Sequence, residues 1–222
     1  TGDWQFVNFN NRLSCFHVNT VPQRYDGSAS AGSKWAAFDN AHRPSTVSSG
    51  EFKPSCGTGF YGRMWVGGVA ESKDILYYSS LLDADDFRTT PENSSSNGGF
   101  ISLRSVWGTD EIISIAPFYG QLVIFGKNNI VIYSNPSSIS NMALNEVIKG
   151  VGCVARDSIQ SIGDDLIFLS STGLRSLART SEKDKVPLID YSVNIKDTLI
   201  RNIGQSTAVK SSYIENEGIY VM

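Results

Sequence analysis

Cysteine is the first scarcity in this 222-residue chain: there are three, Cys15, Cys56 and Cys153. Their wide spacing and odd number argue against a disulfide framework and against a Cys-based zinc site. They fit thiols kept reduced and used as small apolar residues. Histidine is scarcer still. His17 and His42 are the only two and lack sequence-local ligand partners, which disfavours a metal site and a Ser-His catalytic pair. Charge is thin as well, with 19 Lys and Arg against 22 Asp and Glu and a net charge of −3. A chain that held nucleic acid or an anionic membrane by charge would carry a basic excess. No apolar run approaches the 18 or so residues of a membrane-spanning helix. Helical periodicity is nearly absent; only Tyr191 to Ile203 approaches it, through Val193, Ile195, Leu199, Ile200 and Ile203. GxSxG, Walker-type and dinucleotide-binding motifs are missing too.

What the chain has instead is β-branched and aromatic runs punctuated by Gly, Asn, Asp, Ser and Pro, the pattern of an all-β protein. One phrase recurs without repeating its sequence. Its clearest copy runs from Phe118 to Pro136: an aromatic and a Gly, an apolar run (Leu122 to Phe125), a polar turn (Gly126 to Asn129), and a second apolar run (Ile130 to Tyr133). Related phrases begin at Phe9, Phe60 and Ile162, and a last one at Glu215. Aligning Leu13, Met64, Leu122, Leu166 and Ile219 gives steps of roughly 45 to 60 residues, in the range of propeller blades with loop insertions. Several runs, such as Met64 onward and Leu166 to Leu169, are apolar at consecutive positions. A strand buried on both faces reads this way, whereas a sandwich strand alternates. The expected fold is therefore an all-β propeller region over 1–222, with about four blades and part of another, which predicts an incomplete propeller or a fragment.

Two turns stand out, Gly126 to Asn129 and Ser170 to Gly173, where Gly and Asn can supply the positive φ of tight hairpins. Two stretches read as loop insertions: 42–59, with Pro44 and Pro54, and 82–99, polar and ending in a Ser/Asn/Gly run. Loops of such length serve contacts or flexible excursions.

Each candidate for chemistry has a structural reading. Asp83, Asp85 and Asp86 suggest a calcium loop but lack the Gly and terminal Glu of an EF-hand, so they read as a solvated turn. Asp164 and Asp165 stand where Asp bonds turn backbone. Trp4, Trp35, Trp65 and Trp107 are irregularly spaced and read as packing residues rather than a carbohydrate platform. Asn93-Ser94-Ser95 matches a glycosylation sequon. No catalytic, cofactor-binding or metal site is expected.

The stretch from Ile148 to Ala178 resembles the tail nozzle and tail hub virion proteins of short-tailed phages, the tubular tail and packaged-DNA stabilisation proteins. The match runs through Gly150, Gly152, Cys153, Ser158, Gly163, Asp164, Asp165, Phe168, Leu169, Gly173 and Leu177. Segments from Arg12, Gly62, Phe118 and Lys210 are similar in kind. The resemblance implies a non-enzymatic structural protein of the virion, made in the bacterial host cytoplasm. It would form a ring of its own copies, commonly a hexamer, below the portal and adaptor, contacting fibres or spikes, with DNA only as passing cargo. The weak charge suits a wall that DNA slides past. Proteins of that family are longer, so flanking sequence would complete the propeller. The alternative is an extracellular or periplasmic propeller that binds or acts on glycans. Its repeated Ser-x-Asp-x-Gly-x-x-Trp turn is absent, as are the WD40 and kelch signatures of a general interaction propeller.

Overall fold

Every copy of the phrase folds as an antiparallel meander in the computed structural model, which describes residues 3–30, 32–89, 97–177, 191–205 and 209–222. The first sheet holds β1 (Gln5–Phe9), β2 (Arg12–His17), β3 (Thr20–Asp26) and β4 (Trp35–Ala37). The second holds β5 (Cys56–Phe60), β6 (Arg63–Gly67), β7 (Ile75–Tyr78) and β8 (Gly99–Ser102). The third holds β9 (Ile112–Phe118), β10 (Gln121–Gly126), β11 (Asn129–Ser134) and β12 (Ala143–Lys149). The fourth holds β13 (Gln160–Ile162), β14 (Asp165–Ser170) and β15 (Gly173–Ser176), and a hairpin of β16 (Ser212–Ile214) and β17 (Ile219–Val221) follows. Within each sheet, neighbours in space are neighbours in sequence. Two α-helices, α1 (Arg104–Trp107) and α2 (Lys196–Gln205), and two short 3-10 helices, Asn40–His42 and Ile139–Asn141, complete the described elements. Among the described residues, no helix is long and apolar enough to cross a membrane.

In the first three sheets, the turn that joins the first two strands carries unusual backbone. Asn10 and Asn11, Tyr61 and Gly62, and Tyr119 and Gly120 all have φ between 46° and 73°. Two consecutive left-handed residues make the tight turn whose twist matches the flanking strands. At Gly126 to Asn129 a tight turn forms where expected, but the positive φ does not. The Asp110 carboxylate holds that turn instead, accepting the Lys127 N–H at 3.1 Å and the Asn128 N–H at 3.0 Å.

The sheets stack face to face, and this explains the unbroken apolar runs. On β10, Leu122 and Ile124 pack with Trp65, Leu76 and Cys56 of the second sheet. The alternate residues Val123 and Phe125 pack with Leu166 and Phe168 of the fourth. On β6, Met64 and Val66 turn the other way, toward Phe16 of the first sheet. Burial of each such large side chain contributes about 1.5–3 kcal/mol. The prolines sit where the ladder can spare an N–H. Pro117 lies on β9, the edge of its sheet, and Pro22 lies beside a register shift between β2 and β3.

Four expectations need correction. Residues 56–59, read as the end of a loop, belong to β5, whose two glycines had masked a strand. Both insertions also send side chains inward. Val47 and Phe52 from one insertion, and Ala84 and Phe87 from the other, are buried in the core between the first two sheets. Phe52 and Phe87 lie 5.0 Å apart, and the Phe87 N–H donates to His42 O at 2.9 Å. Residues 90–96, with the Asn93 sequon, lie outside the described set. Of the tryptophans, Trp65 and Trp107 are core, but Trp35 is exposed. Finally, the Ile219 alignment is one residue out. The first pair after the turn is Phe9 with Arg12, Phe60 with Arg63, Phe118 with Gln121, Ile162 with Asp165 and Ile214 with Ile219. The partner of Leu13, Met64, Leu122 and Leu166 is thus Tyr220, because the last turn is four residues long. A one-residue slip exchanges the two faces of a strand.

The helical stretch expected over Tyr191 to Ile203 is α2, displaced toward the C-terminal side. Tyr191 and Ser192 run beside β15, with the Tyr191 N–H donating to Leu174 O at 3.1 Å. Val193 and Ile195 remain exposed.

Candidate functional site

The first strands of successive sheets lie side by side, β1 next to β5 and β5 next to β9, with β13 next to β16. Between them is a cavity of about 600 Å³. Its wall is mixed: Gln5, Asn8, Thr58 and Gln160 supply polar groups, and Val7 and Ile159 supply apolar surface. This position makes it the candidate site, since every unit contributes to it.

A charge cluster closes part of the wall. Arg156 donates to both Asp157 oxygens at 2.8 Å, to Ser55 O at 2.6 Å and to Asp3 O at 3.4 Å. Lys210 donates to Asp157 Oδ2 at 2.5 Å and lies 3.7 Å from Asp3 Oδ1. Burial alone would push the Asp157 carboxyl up, but Arg156 and Lys210 outweigh it and hold the group below its ordinary value. Burial likewise works against the Arg156 charge, and Asp157 more than offsets it. The cluster ties the segments before β1, β5, β13 and β16 to one another. Its charges are spent on protein partners, as in a clasp. Sequence reasoning missed it, although adjacent Arg156 and Asp157 inside an otherwise weakly charged phrase were the available signal.

A second constellation runs along the rim where the left-handed turns lie. Asn10 Nδ2 donates to Leu82 O at 2.8 Å, and the Leu82 N–H donates to Gly62 O at 2.7 Å. Tyr119 donates its hydroxyl hydrogen to Asp164 Oδ1 at 2.7 Å. The first turn thus reaches into the second unit, and the third turn into the fourth.

The sequence-selected residues do not converge. Asp85 is buried and paired with Arg24, so the solvated-turn reading fails for it. Burial and neighbouring Asp83 push its carboxyl up to about 6, with Arg24 opposing. Asp86 is held below its ordinary value by Arg88, which donates to both of its oxygens at 2.8 Å. Asp165 accepts the Leu166 N–H at 2.7 Å and the Ser176 hydroxyl, the backbone-and-turn role expected of it. His17 Nδ1 accepts the Asn19 N–H at 3.2 Å, and its ring stacks 4.9 Å from Trp4. His42 is in a separate loop. The three thiols are buried and free; burial pushes Cys56 up to about 12 and Cys153 up to about 11. Among the described residues, no group of three His, Cys, Asp or Glu side chains is placed to hold a metal ion.

No protein family matches the chain, and no curated protein does. Among solved structures, it is similar to the extracellular domain of a hybrid two-component system protein from B. thetaiotaomicron. The TM-score is 0.53 at 17% identity, over 87% of this chain and 23% of that one. Hsv2 from Kluyveromyces lactis aligns over 99% of this chain and 72% of its own, at 9% identity and a TM-score of 0.44. The first likeness is one of fold, all-β with several antiparallel sheets. The second is too loose to bear on it. The chain spans under a quarter of the length of the first.

Proposed function

We propose that the stacked units are blades of a β-propeller, and that the chain is a structural component of a phage tail nozzle or hub. The observation that carries this reading is the work done by the residues of the Ile148–Ala178 resemblance. Gly152 crosses directly over the turn at Lys127 and Asn128, where a Cβ would collide with backbone. The Cys153 N–H donates to Gly126 O at 2.8 Å. Ser158 is buried and accepts the Leu169 N–H at 3.1 Å, while Phe168 meets Phe125 across the sheet interface at 5.1 Å. Gly152, Cys153 and Phe168, three of the residues that carry the resemblance, thus pack the fourth unit on the third. In this reading the protein's role is mechanical. Stacked sheets make a stiff wall in a ring of copies, commonly six, and exposed loops meet the adaptor, fibres or spikes. DNA passes as cargo along a wall of weak net charge, and no catalytic residue is assigned. Immunogold labelling of purified phage particles tests it: label at the tail is expected, and particles free of this chain would overturn it.

A second reading has one observation in its favour. The cavity of about 600 Å³ offers amide and hydroxyl groups of a kind that hold sugars, and the similar structure from B. thetaiotaomicron is an extracellular domain. An extracellular or periplasmic glycan-binding propeller would be supported by calorimetric binding of an oligosaccharide that Gln160→Ala abolishes.

A further inference from the structure

In the first four sheets the turn between the first two strands begins at an equivalent residue: Asn10, Tyr61, Tyr119 and Gly163. All four adopt φ between 46° and 58°. Asn and Gly enter this left-handed region readily, whereas a bulky residue does so only at a cost. The backbone therefore asks for Asn or Gly, and burial does not call for tyrosine either. Each ring leans on the Phe before it, at 4.3 Å for Tyr61 and 4.5 Å for Tyr119, yet the two residues remain 48% and 66% exposed. Leu82 repeats the pattern, with φ 62° and 61% exposure. Both tyrosines belong to sheets flanked by a sheet on either side, so no missing neighbour accounts for them. The three residues form one arc along the rim. Leu82 lies over Gly62, 3.5 Å from where a Cβ would stand, and the Tyr61 hydroxyl lies 3.4 Å from the same point on Gly120. Tyr119 then ends on Asp164 at 2.7 Å. The arc is acidic. Asp83 adjoins Leu82, Asp164 adjoins Tyr119, and among the described residues neither carboxylate is in an ion pair. Arginines of the same segments are already engaged: Arg12 with Asp26, Arg24 with Asp85 and Arg88 with Asp86, while Arg63 is buried beside the Tyr78 ring.

We propose that this arc docks a segment of another protein that carries arginine or lysine. A tyrosine face attracts a guanidinium or ammonium group, and a carboxylate beside the ring holds the same cation. The cation rests on the Tyr119 ring next to Asp164, and an apolar side chain beside it covers Tyr61 and Leu82. Charge selects the partner, because an acidic segment would be repelled by Asp83 and Asp164. The surface is also preorganised. Asp164 fixes the Tyr119 ring, and Phe60 and Phe118 back the two tyrosines, so little side-chain freedom is lost on binding. This does not rest on the nozzle reading, which concerns how one unit seats on the next.

Selection on the whole chain from a displayed library of random peptides, about twelve residues each, tests it. Enriched peptides are expected to carry Arg or Lys beside an apolar residue. Fluorescence anisotropy of a labelled synthetic copy should show binding that weakens with added salt. Tyr61→Asn/Tyr119→Asn should weaken it at least about tenfold, and Asp164→Asn should weaken it to a lesser degree. Asn is what the first unit uses at this position, so the double variant is expected to keep its circular dichroism signature. If it does not, the single variants Tyr61→Asn and Tyr119→Asn serve. Tyrosines with a structural role alone would give a lowered melting temperature and unchanged peptide binding in these variants, which would overturn the proposal. So would enriched peptides without basic residues, or no enrichment at all. Binding to an oligosaccharide array that the double variant abolishes would overturn it too, by assigning the arc to sugars.

Discussion

Tyr119 donates its hydroxyl hydrogen to Asp164 across 2.7 Å, joining the same turn of two consecutive sheets. That hydrogen bond, with a smaller effect of desolvation and the nearby carboxylate charges, raises the Tyr119 phenol above its ordinary value. A raised folded-state value means that the link stabilises below the ordinary phenol range, near about 10, and is lost as pH rises through the higher folded value. Ultraviolet titration should show Tyr119 late, together with Tyr78, Tyr133 and Tyr220, which burial raises, and Asp164→Asn should remove one tyrosine from that late group. An unchanged titration curve in that variant would remove Asp164 as the cause.

Asp85 gives the opposite end of the pH scale. Its carboxyl is pushed up to about 6 by burial first and then by Asp83. The folded state thus holds a proton that the unfolded chain has already lost. The stabilising effect is complete below the ordinary carboxyl value and fades as pH rises from about 4 to about 6. Urea unfolding should show Asp85→Asn flattening stability over that window. Arg24→Ala, which strips the paired cation, should cost roughly 1–3 kcal/mol at pH 7.

Gly152→Ala should destabilise by about 1–3 kcal/mol or more, because the new methyl group meets Lys127 and Asn128 backbone rather than a side chain that can swing aside. Gly150→Ala, in open space but at φ 79°, tests backbone strain alone, and about 1 kcal/mol is expected. Thermal denaturation of the pair separates the two effects. Equal losses would contradict the close-approach argument.

Arg156→Ala should cost about 2–4 kcal/mol, since it leaves Asp157 partly buried with one cation and orphans Ser55 O. Arg156→Lys should recover little, for an ammonium cannot reproduce the two-oxygen grip on Asp157. Denaturant midpoints read both, and full rescue by lysine would show that charge alone matters there.

Much of the fold was legible because strand, turn and strand are local. Leu13, Met64, Leu122 and Leu166 do lie in equivalent strands, and the apolar runs do mark sheets covered on both faces. The failures came where partners are distant. Phe52 and Phe87 looked like loop residues because only the folded chain brings the two insertions together. Trp35 looked like core because hydrophobicity does not say which face of a strand is covered. The Ile219 slip arose from turn length, which moves register without altering composition. The clasp of Arg156, Asp157, Lys210 and Asp3 spans more than 200 positions and leaves no periodic trace.

Sheets that are apolar on both sides also set the order in which the molecule comes apart. Loosening the third sheet uncovers two dry faces at once, one against the second sheet and one against the fourth. The β10 amides between Leu122 and Phe125, at the heart of the third sheet, should be the last to exchange their hydrogens with solvent.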